Sequence, residues 1–223
     1  MKKTFVLFSS ILILGSISNL YAQDSLKVQK ALIIGADLVG PVAGLINSEN
    51  SNLEAYVSYR LNFKYYITAE AGYSGYNYSQ YNYDYTNEGF FIRLGTDINL
   101  LKPKTGIGNH FAGIGLKYGV SVFSQETPWL KYDNYWGTTE SSVPGATTSG
   151  HFFQLSGGIK AEVLRNILLG WTVKANLLLY HGAGKANRPL YVPGMGISDG
   201  SFRPSIAFHI AWMIPLSKKG SSD

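Results

Sequence analysis

Histidine is the side chain readiest to move protons or bind a metal near neutral pH, and this chain has four: His110, His151, His181 and His209. No two of them stand in a His-x-His or His-Glu-x-x-His spacing, so no metal site is predicted. His181 precedes Asp199 and Ser201 across one segment, which makes it the best candidate for a general base beside a hydroxyl. Asp199 and Ser201 are equally ordinary turn residues, and nothing else marks a nucleophile. Gly184-Lys185 lacks the spaced glycine of a phosphate-binding loop, and no cofactor is predicted. Cysteine is absent, which excludes thiol chemistry, disulfides and acylation at a cysteine.

Two other groups of side chains have suggestive spacing. Asp37, Glu54, Glu70, Asp97 and Glu162 share one alternation phase with Arg60, Arg93, Lys117, Lys160, Lys174 and Arg203. Such a near-balanced set, placed inside a fold, predicts a network of paired ions, because isolated buried charges are very costly. It would serve as a structural plug, or as a gated or proton-linked path. The second group is aromatic. Tyr76 and Tyr78 are followed by Tyr81, Tyr83 and Tyr85, with Trp129, Tyr132, Tyr135, Trp136 and Tyr191 further on. Tyr and Trp offer large contact area at low entropic cost, so Tyr76, Tyr78, Tyr81, Tyr83, Tyr85, Trp129, Trp136 and Tyr191 form a candidate surface for a glycan or peptide. The same residues would also make an interfacial girdle and a packed cap.

The elements that must position these residues are strands. Between Asn52 and Ser74, Leu53, Ala55, Val57 and Tyr59 alternate with Glu54, Tyr56, Ser58 and Arg60. After a break at Leu61 to Tyr65, Ile67, Ala69, Ala71 and Tyr73 alternate with Thr68, Glu70, Gly72 and Ser74, so period two occurs twice. Each run has about the ~9 to 11 residues a tilted strand needs to cross a hydrocarbon layer. The same pattern marks strands at Ala31–Val39, Phe90–Asn99, His110–Phe123, His151–Val163, Ile167–Tyr180 and Ser201–Leu216. The stretches Gly40–Ser51, Tyr73–Gly89, Ser124–Gly150 and His181–Gly200 read as long loops, and Leu100–Asn109 and Leu164–Asn166 as shorter turns.

Eight strands with alternately short and long connections predict an all-β, antiparallel up-and-down transmembrane barrel with short periplasmic turns and long extracellular loops. The glycines orient it. Gly35, Gly72, Gly95, Gly113, Gly115, Gly119, Gly158 and Gly170 share the charged phase, where a narrow bore needs small residues beside long ones. The opposite phase carries Leu, Ile, Val and aromatics, as a lipid-facing wall requires. A secreted soluble β protein is the alternative.

Met1 to Ala22 reads as a secretory signal peptide, with Lys2 and Lys3 ahead of the apolar run Phe5 to Leu14. Residues 23–30 would be a periplasmic lead, 31–216 the barrel and 217–223 a polar tail. The formal charge of +5 falls to +3 when Lys2 and Lys3 leave with the leader, a modest balance that gives no footing for nucleic acid. The expected location is the outer membrane. Expected partners are its lipid and lipopolysaccharide and the barrel-assembly machinery. An extracellular glycan or peptide is a further one.

From Ala31 to Leu216 the chain resembles small eight-stranded outer-membrane barrels, and more narrowly a family of uncharacterised barrel proteins classed as a domain of unknown function. The resemblance rests on Gly35-Ala36-Asp37-Leu38 with Pro41-Val42, Tyr135-Trp136-Gly137, Gly170-Trp171, Tyr191-Val192-Pro193-Gly194 and Ile214-Pro215-Leu216. It implies the barrel fold and brings no catalytic residue. One departure is the end of the last strand, Pro215-Leu216 plus a tail, where outer-membrane barrels carry an aromatic residue. The functions to be weighed are therefore a non-enzymatic barrel supporting the envelope or presenting binding loops, an enzyme at the rim acting on lipid or peptide, and a narrow channel.

Overall fold

The structure is a computed structural model that describes residues 30–46, 50–102, 109–183, 188–198 and 202–216. The leader, most of the lead, the tail, Asp199, Ser201 and Gly184-Lys185 lie outside the described residues. The wall strands are β1 (Ala31–Asp37), β2 (Asn50–Arg60), β3 (Tyr65–Gln80), β4 (Tyr83–Asn99), β5 (Phe111–Asn134), β6 (Gly137–Leu164), β7 (Ile167–His181) and β10 (Phe202–Pro215). They close into one antiparallel barrel in the order β1-β10-β7-β6-β5-β4-β3-β2. A helix α1 (Val39–Ile46) and a small hairpin, β8 (Tyr191–Val192) with β9 (Gly196–Ile197), are the remaining elements. No described helix is long and apolar enough to cross a membrane.

The period-two pattern dictates which side of the wall each residue faces. Leu53 is 63% exposed, Leu116 57% and Ile210 43%, whereas Glu54, Lys117 and Lys174 are each 4% exposed. The wall is therefore apolar outward and polar inward, the arrangement of a barrel that spans lipid and the reverse of a soluble one. Backbone groups close on each other around the ring, so no polar edge faces hydrocarbon along the paired part of the wall.

Connections at the loop end differ from expectation. The stretches read as loops at Tyr73–Gly89 and Ser124–Gly150 continue the strands instead. β3 and β4 pair as far as Gln80↔Tyr83, and β5 and β6 as far as Asn134↔Gly137. Both hairpins stand above the barrel on tight turns, Tyr81-Asn82 and Tyr135-Trp136. Pro128 and Pro144 sit where the β5–β6 register slips between Gln125 and Leu130. A bulge is where a strand tolerates a residue without an N–H. The expected loop Gly40–Ser51 holds all of α1 but its first residue, Val39, which was expected to end the first strand, and His181–Gly200 contains the β8–β9 hairpin.

One seam of the wall is incomplete. β1 pairs with β10 only up to Asp37↔His209 and with β2 only up to Ala36↔Ala55. Above that level Phe202–Ala207 of β10 pairs on its β7 side, and Asn50–Glu54 of β2 on its β3 side. Pro204 falls in this half-paired stretch, as an edge position permits. The notch is occupied by α1, which leans on β2 and touches β10 little. Gly40 allows that contact, since a Cβ there would overlap the Asn52 carbonyl.

Candidate functional site

The bore is crossed by a zigzag of alternating charges. Lys174 of β7 pairs with Glu54 of β2, and Glu54 also pairs with Arg93 of β4. Arg93 Nε lies 2.8 Å from Glu70 of β3, whose other oxygen is 3.1 Å from Lys117 of β5, and Lys117 reaches Asp97 of β4 at 3.0 Å. Each of the four inner members thus has two partners of opposite sign. Thr68 donates to Asp97 at 2.7 Å and shares a 2.6 Å hydrogen bond with Ser58, and Arg93 Nη1 donates to Gln154 Oε1 at 2.7 Å. All of these side chains are buried. The arrangement is set by strand phase: inward positions on β2, β3, β4, β5 and β7 bring unlike charges to one level.

Above this chain the β8–β9 hairpin folds down into the mouth of the barrel. Val192 and Met195 are buried against Phe123, Phe152 and Leu178. Wall side chains hold its backbone: Arg93 Nη1 donates to the Gly194 carbonyl at 2.9 Å, Asn87 Nδ2 to that of Tyr191 at 3.1 Å, Asn176 Nδ2 to that of Met195 at 3.0 Å, and Arg203 Nε to that of Ile197 at 3.0 Å. The turn needs glycine. Gly194 has φ +77° and Gly196 φ +104°, and a Cβ at Gly194 would overlap the Phe91 ring.

Five of the candidate aromatic residues form a lid over the hairpin. Tyr191 stacks on Tyr76 with ring centres 4.9 Å apart and planes 5° from parallel. Tyr76 continues to Tyr78 at 6.3 Å, Tyr78 to Tyr83 at 6.2 Å and Tyr83 to Tyr85 at 6.2 Å. Tyr85 is buried and donates to Gln125 at 3.1 Å. The other three are separate from this group. Tyr81 stands 83% exposed at the β3–β4 tip with Lys131 over its ring, Trp136 stands 90% exposed at the β5–β6 tip, and Trp129 is half-buried on β5 opposite Asp84.

At the turn end Asn109 links Arg60 to Glu162: Arg60 Nη1 donates to Asn109 Oδ1 at 2.9 Å, and Asn109 N and Nδ2 donate to Glu162 at 2.7 and 2.9 Å. Lys160 points its ammonium at the Tyr56 ring, 4.3 Å from its centre. Arg203, on β10, thus meets the plug itself through the β9 residue Ile197. Asp37 lies at the loop end, with Oδ1 accepting from Val39 N at 3.0 Å and Phe208 N at 3.1 Å. Of the histidines, His209 meets Thr172 at 3.1 Å and His151 meets Tyr118 at 2.8 Å. His181 lies on β7, opposite Gly150. Among the described residues no group of His, Asp and Glu is placed to hold a metal.

A fold and a bore of this kind can be set beside known proteins. The family profile "Domain of unknown function (DUF6048)" matches residues 1–219. The chain belongs to the DUF6048 family. Among curated proteins none matches it. Solved structures similar to this DUF6048 chain include the N-terminal β-barrel domain of Pseudomonas aeruginosa OprF, at 8% identity and TM-score 0.31, covering 84% of this chain and 100% of that one. Neisserial surface protein A (NspA) is similar at 10% identity and TM-score 0.38, covering 84% of this chain and 95% of that one. CarO of Acinetobacter baumannii is similar at 10% identity and TM-score 0.35, covering 86% and 100%.

Several residues central to this DUF6048 bore escape a reading based on charge and aromaticity alone. Gln154, Asn87, Asn176 and Thr68 are uncharged, yet all are buried and three of them hold Arg93 or the plug. Their signal was present: each is a polar residue on the same inward phase as the charged residues of its strand.

Proposed function

We propose that this chain is a non-enzymatic barrel of the outer membrane, closed across its bore, that contributes to envelope integrity and holds two projecting strand hairpins at the cell surface. The observation that carries this reading is the pairing of an apolar outer wall with a bore filled by the Lys174-to-Asp97 charge chain and the β8–β9 plug. A wall that is greasy outward favours lipid on every side, and a sealed bore favours a structural or surface-presenting role over transport. The two enclosed spaces toward the turn end hold about 20 Å³ each. That is room for about one water apiece.

The short turns would lie in the periplasm and the hairpins outside, as in bacterial outer-membrane barrels generally. Contact partners are then outer-membrane lipid and lipopolysaccharide, with the barrel-assembly machinery during insertion. The exposed tips, Tyr81 on one hairpin and Tyr135 with Trp136 on the other, are the places where a glycan or peptide would be met. The lid tyrosines Tyr76, Tyr78, Tyr83, Tyr85 and Tyr191 serve packing in this account. Cell fractionation combined with a heat-modifiability gel tests the proposal. The protein should partition with outer membrane and migrate differently before and after boiling; recovery in the soluble fraction without detergent contradicts it.

A further inference from the structure

The wall does not end evenly at the loop end. β6 pairs with β7 from Gly150↔His181 downward, and Gly182 N, just past β7, donates to the Ser149 carbonyl at 2.8 Å. From there to its tip β6 keeps β5 on one side, and among the described residues no strand lies on the other. Residues 137–147 are all exposed. An unpaired edge offers the N–H and C=O groups of every second residue to whatever comes alongside.

The other edges of the projecting sheet are short. Tyr83 of β4 pairs with Leu130, and Lys131 N donates to the Asn82 carbonyl at 2.9 Å, so on β5 only residues 132–134 rise above a partner. β3 outruns its pairing with β2, which ends at Tyr76, by residues 77–80. Long edges are ordinarily blunted by lysine, proline or a bulge. Pro144 and the register slip between Gln125 and Leu130 blunt the base of this one. Residues 137–143 contain neither lysine nor proline, and their pairing from Leu130↔Ser141 to Asn134↔Gly137 is unbroken. The single charge there, Glu140, stands opposite Lys131. At about 3.4 Å per residue this edge is roughly 24 Å long.

What can lie along it is decided by what lies beneath. A strand added to β6 would sit end to end above β7, which already fills the wall below. A second copy in the same membrane would bring its own barrel, continuous with its β6, into that occupied place. A free extended chain brings nothing beneath it. Thr139 and Ser141 share one face of the sheet with their partners Tyr132 and Leu130, and Thr138 and Glu140 share the other with Asp133 and Lys131.

We propose that residues 137–143 are a docking edge for an extended segment of an extracellular polypeptide, which adds to the projecting sheet as a further antiparallel strand. Main-chain hydrogen bonds supply the affinity. Side chains add a mild preference for β-branched or aromatic residues beside Thr139 and Ser141 and for a basic residue beside Glu140. The inference rests on the surface-presenting reading above, narrows its ligand to a peptide and moves the contact from the tips to the strand edge.

The test uses the full chain in a nonionic detergent and a fluorescent peptide of alternating threonine and valine with a central lysine. Replacing residues 128–142 by Asn-Gly joins the paired Thr127 and Val143 through a two-residue turn, which removes the edge and leaves the wall. Fluorescence anisotropy should show the peptide bound about tenfold or more tightly by the full chain than by the shortened one. A docked strand uses only one of its own edges, so N-methylation of one alternate set of peptide amides should cost about tenfold or more, and that of the other set nothing. Equal binding to the two chains, or equal loss with both methylated peptides, overturns the proposal; the methylated pair reads out on the full chain even if the shortened one does not fold. A dimer in detergent that disappears on shortening and shuts the peptide out would assign the edge to a second copy and likewise overturn it. Failure of the membrane reading shows separately, as full chain recovered without detergent before any peptide is added.

Discussion

Arg93 Nη1 donates at 2.9 Å to the Gly194 carbonyl, which joins the charge chain across the bore to the hairpin that closes its mouth. One guanidinium therefore serves both devices, since its other nitrogens pair with Glu54 and Glu70. Arg suits this place better than Lys because its planar fork can meet several acceptors in fixed directions while remaining charged.

Arg93→Ala should be among the most damaging substitutions in the barrel. It leaves Glu54 and Glu70 each one partner short and uncouples Gln154 and Gly194. Breaking a buried ion pair in this way costs about 3–5 kcal/mol. Urea unfolding in detergent, followed by the gel shift, should give a clearly lower midpoint, with Arg93→Lys falling between the two. A midpoint equal to that of the unaltered protein would show that the chain of charges is not what fills and holds the bore.

Gly194→Val should loosen the plug and spare the wall. The residue sits at φ +77°, and any Cβ would run into the Phe91 ring. A left-handed conformation is a genuine outlier for a β-branched side chain. Limited proteolysis should then cut within residues 182–198 faster than in the unaltered protein, while the heat-dependent gel shift persists.

The lid and the tips should separate cleanly. Tyr85→Phe removes a buried hydroxyl that donates to Gln125, and should lower stability by about 1 kcal/mol. Tyr81→Ala at the exposed tip should leave the unfolding midpoint unchanged. If the tips bind a glycan or peptide, Tyr81→Ala and Trp136→Ala should weaken capture by whole cells and Tyr85→Phe should not.

A charge on the outer wall gives a fourth test. Leu116 is 57% exposed and faces outward at the level where β5 pairs with Thr96 and Leu155. Leu116→Lys should cost about 2–4 kcal/mol in a bilayer if this level lies near the midplane. Thr139→Lys, on the exposed part of β6 beyond the barrel, should be silent in the same assay.

The parts legible from sequence were those with a sustained period. The inward charges and outward aliphatics on β2, β4, β5 and β7 alternate over enough residues to assign both strand and face. On β6 the upper hairpin was missed because residues such as Thr138, Ser141 and Thr147 are all exposed, and a strand with no buried side leaves no alternation to read; on β4 and β5 the inward phase continues through Asn87, Tyr85, Gln125 and Thr127, but its buried residues are mostly polar. α1 spans eight residues and includes Gly40, Pro41 and Gly44, too short and poor a former to stand on propensity; its contact with β2 holds it. The plug was missed for a related reason. β8 and β9 have two residues each, and their place comes from donors on β4, β7 and β10.

The most direct test of the sealed barrel is electrical. Purified full-length protein inserted into planar lipid bilayers, with insertion verified by the heat-dependent gel shift of protein recovered from the same membranes, should carry negligible current at any applied voltage the bilayer withstands. A steady, large single-channel conductance from that preparation would contradict the account, because ions would then be crossing a bore that the charge chain and the β8–β9 hairpin are said to close.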